Sequence, residues 1–170
     1  MEVSVTEKPG IALKIPNFPD ISIHRIVTDY NGTLSLAGRL TPGVVERLRR
    51  LHELVEIDVI TSDTFGTAAD ELAPAGLRPL LLPKASRHDE AKEAHVKTHD
   101  AAHIAAFGNG NNDAWMIKAV KDVGGLAIAV DNGEGCAVQT LLNAEIFVAG
   151  IANALDLLLD PIRCKATLRR

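Results

Sequence analysis

Ile26-Val27-Thr28-Asp29-Tyr30-Asn31-Gly32-Thr33 reads as a short apolar strand that ends on a carboxylate and turns at once through a glycine. A carboxylate at the end of a buried strand is costly unless it is paired or bound to a cation. Gly32 lets the chain bend sharply and approach a ligand closely. Taken alone, the segment stands equally for turn chemistry and for catalysis, so its surroundings decide.

Upstream, Ile11 to Pro16 and Ile21 to Thr28 are apolar or alternating runs separated by Asn17-Phe18-Pro19-Asp20, which predicts a hairpin leading into the Ile26-Val27-Thr28 strand. Downstream, Thr41-Pro42 predicts a helix cap with proline at the first helical position. Val44, Val45, Leu48, Leu51 and Val55 follow at helical spacing. The alternation then repeats. Strands are expected at Ile57 to Ile60, Arg78 to Leu82, His103 to Phe107, Leu126 to Val130 and Glu145 to Val148. Helices are expected at Gly66 to Ala73, Asp89 to Lys97, Asp113 to Val120, Gly135 to Leu142 and Ile151 to Leu159. Short strands alternating with helices of about ten residues mean βαβ units, hence a doubly wound parallel α/β sheet covered on both faces.

In such sheets, ligands bind beyond the carboxyl ends of the strands, where strand order reverses. Three junctions qualify: Asp29 to Thr33, Thr61 to Gly66, and Gly108 to Asp113. In the second, Ser62 and Thr61 offer hydroxyls for a phosphoryl oxygen, while Asp63 and Thr64 suit a helix cap. The third packs Gly108, Asn109, Gly110, Asn111, Asn112 and Asp113 into a tight loop rich in oxygen donors. A hard cation such as Mg²⁺ takes few protein oxygens, the rest being water and phosphate, and Asp29 with Asp113 would supply them.

Composition excludes several partners. The 170 residues are 46% apolar, enough for one sizeable core, and the net charge of −4 gives nucleic acid or an anionic membrane no purchase. Aromatics are few, and Phe107 and Trp115 read as packing rather than a base-stacking platform. Cys136 and Cys164 read as reduced small hydrophobes. No run approaches membrane-span length and no signal peptide is evident, so a cytoplasmic protein is expected. His88, His95, His99 and His103 hint at a metal face, but the helix is expected to end near His99, which leaves a solvated surface as the simpler reading. The basic segment Arg163 to Arg170 likewise reads as solvated surface.

The order Asp, Thr, Lys, Asn/Asp resembles the haloacid dehalogenase (HAD) superfamily, and most of all the phosphorylation domain of P-type ATPases and its stand-alone soluble relatives. Asp29-Tyr30-Asn31-Gly32-Thr33 is similar to the ATPases' Asp-Lys-Thr-Gly-Thr. Ile60-Thr61-Ser62-Asp63 is similar to their Leu-Thr-Gly-Asp, Lys92 stands at the phosphate-binding lysine, and Gly108 to Asp113 is similar to Gly-Asp-Gly-x-Asn-Asp. The resemblance implies a Rossmann-like core with strand order 3-2-1-4-5 plus a further edge strand, and a single domain. Its parts would be a hairpin extension (1–25), a core (26–160) and a basic tail (161–170).

The resemblance also implies an aspartyl-phosphate on Asp29. Mg²⁺ would be held by Asp29, the carbonyl of Asn31, Asn109 and Asp113. Phosphate would be bound by Thr61, Ser62, Lys92, Gly32 and Asn112. The substrate would be a phosphorylated small molecule or phosphoprotein. Asn31 stands where HAD phosphatases carry a general acid/base aspartate, so dephosphorylation is expected to be slow. Asn109 replaces a further aspartate near the metal. Each interval between motifs holds one helix and at most one strand, so no cap domain is expected. The open site suits a large substrate or closure by a second copy. A non-enzymatic module binding Mg²⁺ or phosphate is the alternative. A response-regulator phosphoacceptor is disfavoured by Gly32-Thr33 and the Gly-Asn-Gly loop.

Overall fold

The computed structural model describes residues 7–170. Strands β1 (Ile11–Leu13) and β2 (Ile21–Ile23) pair antiparallel, with Ile11 opposite Ile23, as the two apolar runs predict. The central sheet comprises β3 (Arg25–Asp29), β6 (Glu56–Thr61), β7 (Pro79–Leu81), β8 (Ile104–Gly108), β9 (Leu126–Asp131) and β10 (Ile146–Ala149). Its spatial order is β10-β9-β8-β3-β6-β7, and every neighbouring pair is parallel. Numbered along the chain from β3, that is 3-2-1-4-5 with a sixth strand at the edge, the expected order. Reversal falls at β3, between β6 and β8. The C-terminal ends of these three strands carry Asp29, Thr61 and Gly108.

Alternation along each strand divides the core. Ile26, Val59, Phe107 and Ile128 pack on one face against Val44, Leu48 and Leu51 of α1 (Val44–His52) and Ile151, Ala154 and Leu155 of α6 (Ile151–Leu159). Val27, Ile60, Ala106 and Ala127 pack on the other against Val96 of α3 (His88–Lys97) and Met116, Ile117 and Val120 of α4 (Ala114–Asp122). Truncating one of these buried side chains, such as Leu48→Ala, costs about 2–5 kcal/mol in such a core. The remaining helices are α2 (Ala68–Leu72), α5 (Val138–Asn143) and α7 (Pro161–Leu168).

Two expectations need correction. Helix α1 does not start on Thr41-Pro42. It starts at Val44 after Gly43, whose φ of 82° lies in the left-handed region that glycine tolerates best, so the chain turns before it coils. The basic segment after Asp160 is not simply a solvated surface. It forms α7, because proline opens the helix and Cys164 and Leu168 bury their side chains against the β1–β2 side of the core. Both cysteines are free, as expected. Among the described residues, no helix is long and apolar enough to cross a membrane.

Between β3 and α1 the chain makes only a small hairpin, β4 (Ser35–Leu36) and β5 (Arg39–Leu40). The buried Tyr30 hydroxyl and the Thr67 hydroxyl both donate to the Gly38 carbonyl, at 3.0 and 2.6 Å. These bonds fasten the hairpin beside the end of β3. Between β6 and β7 there is only α2 and a single 3-10 turn.

Candidate functional site

Asp29 ends β3 with only 6% of its surface exposed. Its Oδ1 accepts a hydrogen bond from Lys92 Nζ at 2.7 Å, and its Oδ2 accepts one from the Thr33 hydroxyl at 3.2 Å. Lys92 is on the inward face of α3, one turn beyond His88, and is buried. Its ammonium also donates to Asp113 Oδ1 at 2.7 Å, so one cation bridges two carboxylates from different loops.

Asp113 is itself fully buried. Its Oδ2 accepts the backbone N–H groups of Asn109 and Gly110, at 3.0 and 2.9 Å, which shapes the Gly108–Asp113 loop from inside. Gly108 is required there: a Cβ would come within 2.5 Å of Asp113 Cβ. Gly32 is required on the opposite wall. Its φ is +77°, and a Cβ would lie 2.5 Å from Asn109 Nδ2. Asn109 Oδ1 lies 3.1 Å from the same Thr33 hydroxyl and shares its single proton with Asp29. The two loops therefore meet through the Asn109 side chain.

Thr61 closes the third wall. Its Oγ1 accepts from the Asp63 N–H at 2.9 Å and from Asn31 Nδ2 at 3.3 Å, leaving its own proton free to point elsewhere. Asp63, with φ of 49°, accepts from the N–H groups of Thr67 and Ala68, capping α2 as the sequence predicts. Asn31 Oδ1 is buried and has no partner among the described residues. An acceptor left unsatisfied in this way costs about 1–3 kcal/mol unless a ligand or solvent supplies the donor.

Electrostatics follow from this packing. Burial and the charge on Asp113 push the Asp29 carboxyl up to about 7, against the pull of Lys92 and Thr33. Burial opposes protonation of Lys92, but Asp113 and Asp29 outweigh it and hold its ammonium well above the ordinary lysine range. Two carboxyl groups thus share one ammonium, and the excess is negative once Asp29 ionises above about pH 7. An oxygen-lined chamber with a negative excess and an orphaned carbonyl oxygen suits a hard cation.

The cleft above these groups has a volume of about 390 Å³ and is lined by Asp29, Asn31, Thr61, Ser62, Lys92, Asn109 and Asn112, with Thr64, His88 and Gly110. Every side chain given a catalytic, phosphate or Mg²⁺ role by the resemblance therefore lines the cleft or, for Asp113, lies buried beside it, and Gly32 forms its backbone turn. A larger hollow of about 620 Å³ lies beside β7, but Ala69, Ala73, Leu77, Pro79 and Leu81 line it without a carboxylate. Volume does not mark the chemistry here. The sequence reading missed Thr33 as a partner of Asp29, and it missed His88 at the rim. The signal for His88 was its spacing of four from Lys92, which puts both on one helix face.

No family model matches the chain. Over 66 residues it is 46% identical to an uncharacterized protein of Methanocaldococcus jannaschii, a match covering 39% of this chain and 67% of that one. Among solved structures, it superposes on the cobalt-bound deoxy-D-mannose-octulosonate 8-phosphate phosphatase of Haemophilus influenzae with a TM-score of 0.63. That match is 15% identical and covers 86% and 91% of the two chains. The 3-deoxy-D-manno-octulosonate 8-phosphate phosphatase of Moraxella catarrhalis, solved with magnesium, phosphate and KDO, gives 0.60 at 15% identity over 86% and 89%. A HAD superfamily (subfamily III A) hydrolase of Legionella pneumophila gives 0.60 at 17% over 86% and 87%. At these identities the likeness is one of fold.

Proposed function

We propose that this chain, which has the fold of the HAD superfamily hydrolases, is a Mg²⁺-dependent phosphohydrolase or phosphotransferase working through Asp29 in the cytoplasm. The observation that carries the reading is the Lys92 ammonium, 2.7 Å from both Asp29 and Asp113 beneath an open polar cleft. The phosphatase neighbours, solved with magnesium and phosphate or with cobalt, support it by fold.

Asp29, Asn31, Asn109 and Asp113 would hold the Mg²⁺, which when bound would offset the phosphate's charge. The chain's own groups do the rest. Lys92 fixes Asp29 through Oδ1 and Thr33 orients Oδ2. A carboxylate oxygen of Asp29 attacks phosphorus, the P–O ester bond breaks, and the departing alkoxide takes its proton from water. Water then attacks the phosphorus of the acyl phosphate, releasing inorganic phosphate and regenerating the carboxylate. The free hydroxyl proton of Thr61 and the Lys92 ammonium meet the equatorial phosphoryl oxygens, where charge stabilisation acts in this chemistry. Asn31 cannot shuttle the proton, so both half-reactions lack the factor of about 10²–10⁴ that a positioned acid/base supplies.

Among the described residues no second domain lies over the cleft, and a phosphorylated small molecule enters directly. A single-domain layout, with 1–25 as an extension of a 26–160 core, fits this openness. A phosphoprotein substrate, or closure by a second copy of the chain, fits it as well. The second reading, a regulatory module that binds Mg²⁺ or phosphate without turnover, is favoured by Asn31 and Asn109 standing where acidic residues would serve catalysis.

Hydrolysis of an aryl phosphate with Mg²⁺, together with acid-quench trapping of labelled protein, tests the proposal. Mg²⁺-dependent turnover or a trapped label, absent from Asp29→Asn, is the expected result. Activity surviving that substitution would remove Asp29 from the chemistry. Neither label nor turnover, with a beryllofluoride phosphate mimic still bound, would favour the module.

A further inference from the structure

Four of the chain's six histidines gather at the opposite end of the sheet from the cleft. Two of them face one carboxylate. Asp58 lies in the first half of β6, three residues before Thr61 and so about 10 Å along the strand from the candidate site. His95 Nε2 lies 2.8 Å from Asp58 Oδ2, and His99 Nε2 lies 3.8 Å from the same oxygen. One ligand atom from each of the three residues falls within 4.8 Å of the others. The sequence reading left these histidines as solvated surface. The structure instead leaves only 24%, 33% and 16% of the His95, His99 and Asp58 side chains exposed.

We infer that Asp58, His95 and His99 form a binding site for a divalent transition ion of borderline softness, Zn²⁺ being the fitting case. Two imidazoles and one carboxylate are a donor set suited to such ions. Tetrahedral coordination with bonds of about 2.0–2.2 Å requires ligand atoms about 3.4 Å apart. The observed 2.8 Å would open by about 0.6 Å and the 3.8 Å close by about 0.4 Å, movements within reach of side-chain rotation.

The backbone supports the same geometry. His95 lies in the last turn of α3 and His99 two residues beyond its end, with ring centroids 5.0 Å apart. The carboxyl end of a helix also favours a cation. Arg25 Nη1 donates to Asp58 Oδ1 at 2.9 Å and to Oδ2 at 2.8 Å. It orients the carboxylate, and an ion on Oδ2 would replace its bond to that oxygen while the bond to Oδ1 stays. Beside His99 lies a cavity of about 390 Å³ whose lining also includes His24, His103, Arg25 and Asp100. An ion there ties α3 to β6, and α3 is the helix that carries Lys92.

The test is calorimetric titration of the chelator-treated full-length protein with Zn²⁺ in saturating Mg²⁺, which keeps the Asp29 site occupied by the harder ion. One equivalent is expected to bind, with affinity reduced at least 100-fold in His99→Gln and in His95→Gln/His99→Gln, and unchanged in His103→Gln. Substitution with Co²⁺ should give visible absorption that the double variant lacks. Because the double variant also loses a bond to Asp58, nitrogen-detected imidazole spectra of the unmodified protein provide a check independent of folding. His95 and His99 resonances should move on Zn²⁺ addition, while those of His52 and His88 should not. No binding, binding indifferent to both glutamines, or equal loss in His103→Gln would overturn the site and leave an Arg–Asp–His hydrogen-bond network.

Discussion

Asn31→Asp is the most informative single change. Asn31 Nδ2 donates to Thr61 Oγ1, which also accepts from the Asp63 N–H, so the Thr61 proton is available to a phosphoryl oxygen. A carboxylate at position 31 has no N–H and draws that proton to itself. Phosphate then loses one neutral donor, worth about 0.5–1.5 kcal/mol, or up to about tenfold in rate. Against this stands the gain of an acid/base group, about 10²–10⁴-fold. Burial and the charge of Asp29 raise the new carboxyl's pKa, as they suit an acid near neutral pH. The net expectation is hydrolysis faster by about 10- to 10³-fold, with a correspondingly shorter-lived phosphoenzyme in acid-quench time courses. An aryl phosphate assay in Mg²⁺, run beside thermal melts, measures it. Unchanged hydrolysis in a variant that melts like the parent would refute the placement of Asn31 at the proton-transfer position.

Lys92→Met should abolish turnover and destabilise the fold by about 3–5 kcal/mol in denaturant titrations, because two buried carboxylates lose their shared cation; unaltered stability would contradict the bridging role. Gly32→Ala should cost about 1–3 kcal/mol and depress activity, since φ is +77° and the methyl meets Asn109; a neutral effect on both would show that the turn tolerates a side chain. Arg47 grips Asp156 with two bonds, 2.8 and 2.9 Å, joining α1 to α6. The hydrogen bond from Arg47, opposed by burial and aided by its charge, holds the Asp156 carboxyl below its usual 3.8. A depressed folded-state pKa means the stabilisation is present above about pH 4 and fades as pH falls through the folded value. Asp156→Asn should therefore be less stable than the parent by about 1–2 kcal/mol at pH 7 and by little near pH 2, and a pH-independent difference would exclude the ion pair as its cause.

Much of this was written locally. Strand and helix positions follow from apolar spacing, because a strand's period of two and a helix's period near four are imposed by backbone geometry within a few residues. The strand order was what the family resemblance implied, and a crevice at the C-terminal ends of the strands is what parallel sheets of this kind provide. Asp29, Thr61 and the Gly108–Asp113 loop were visible because each directly follows an apolar run. Local signals were weaker where tertiary contacts compete. Gly43 rather than Thr41 opens α1, and α7 forms because Cys164 and Leu168 find a core to enter.

Other features exist only after folding. Lys92 reaches Asp29 and Asp113 across 63 and 21 residues of sequence. The same helix that looked merely polar buries that lysine on one face and brings His95, with His99 just past its end, toward Asp58. The sequence by itself determined which strand ends carry reactive groups, because that depends on residues adjacent in the chain. Only the tertiary structure decided which charges share a low-dielectric space, because Coulomb energy and desolvation depend on distance and burial, and neither is a property of spacing along the chain.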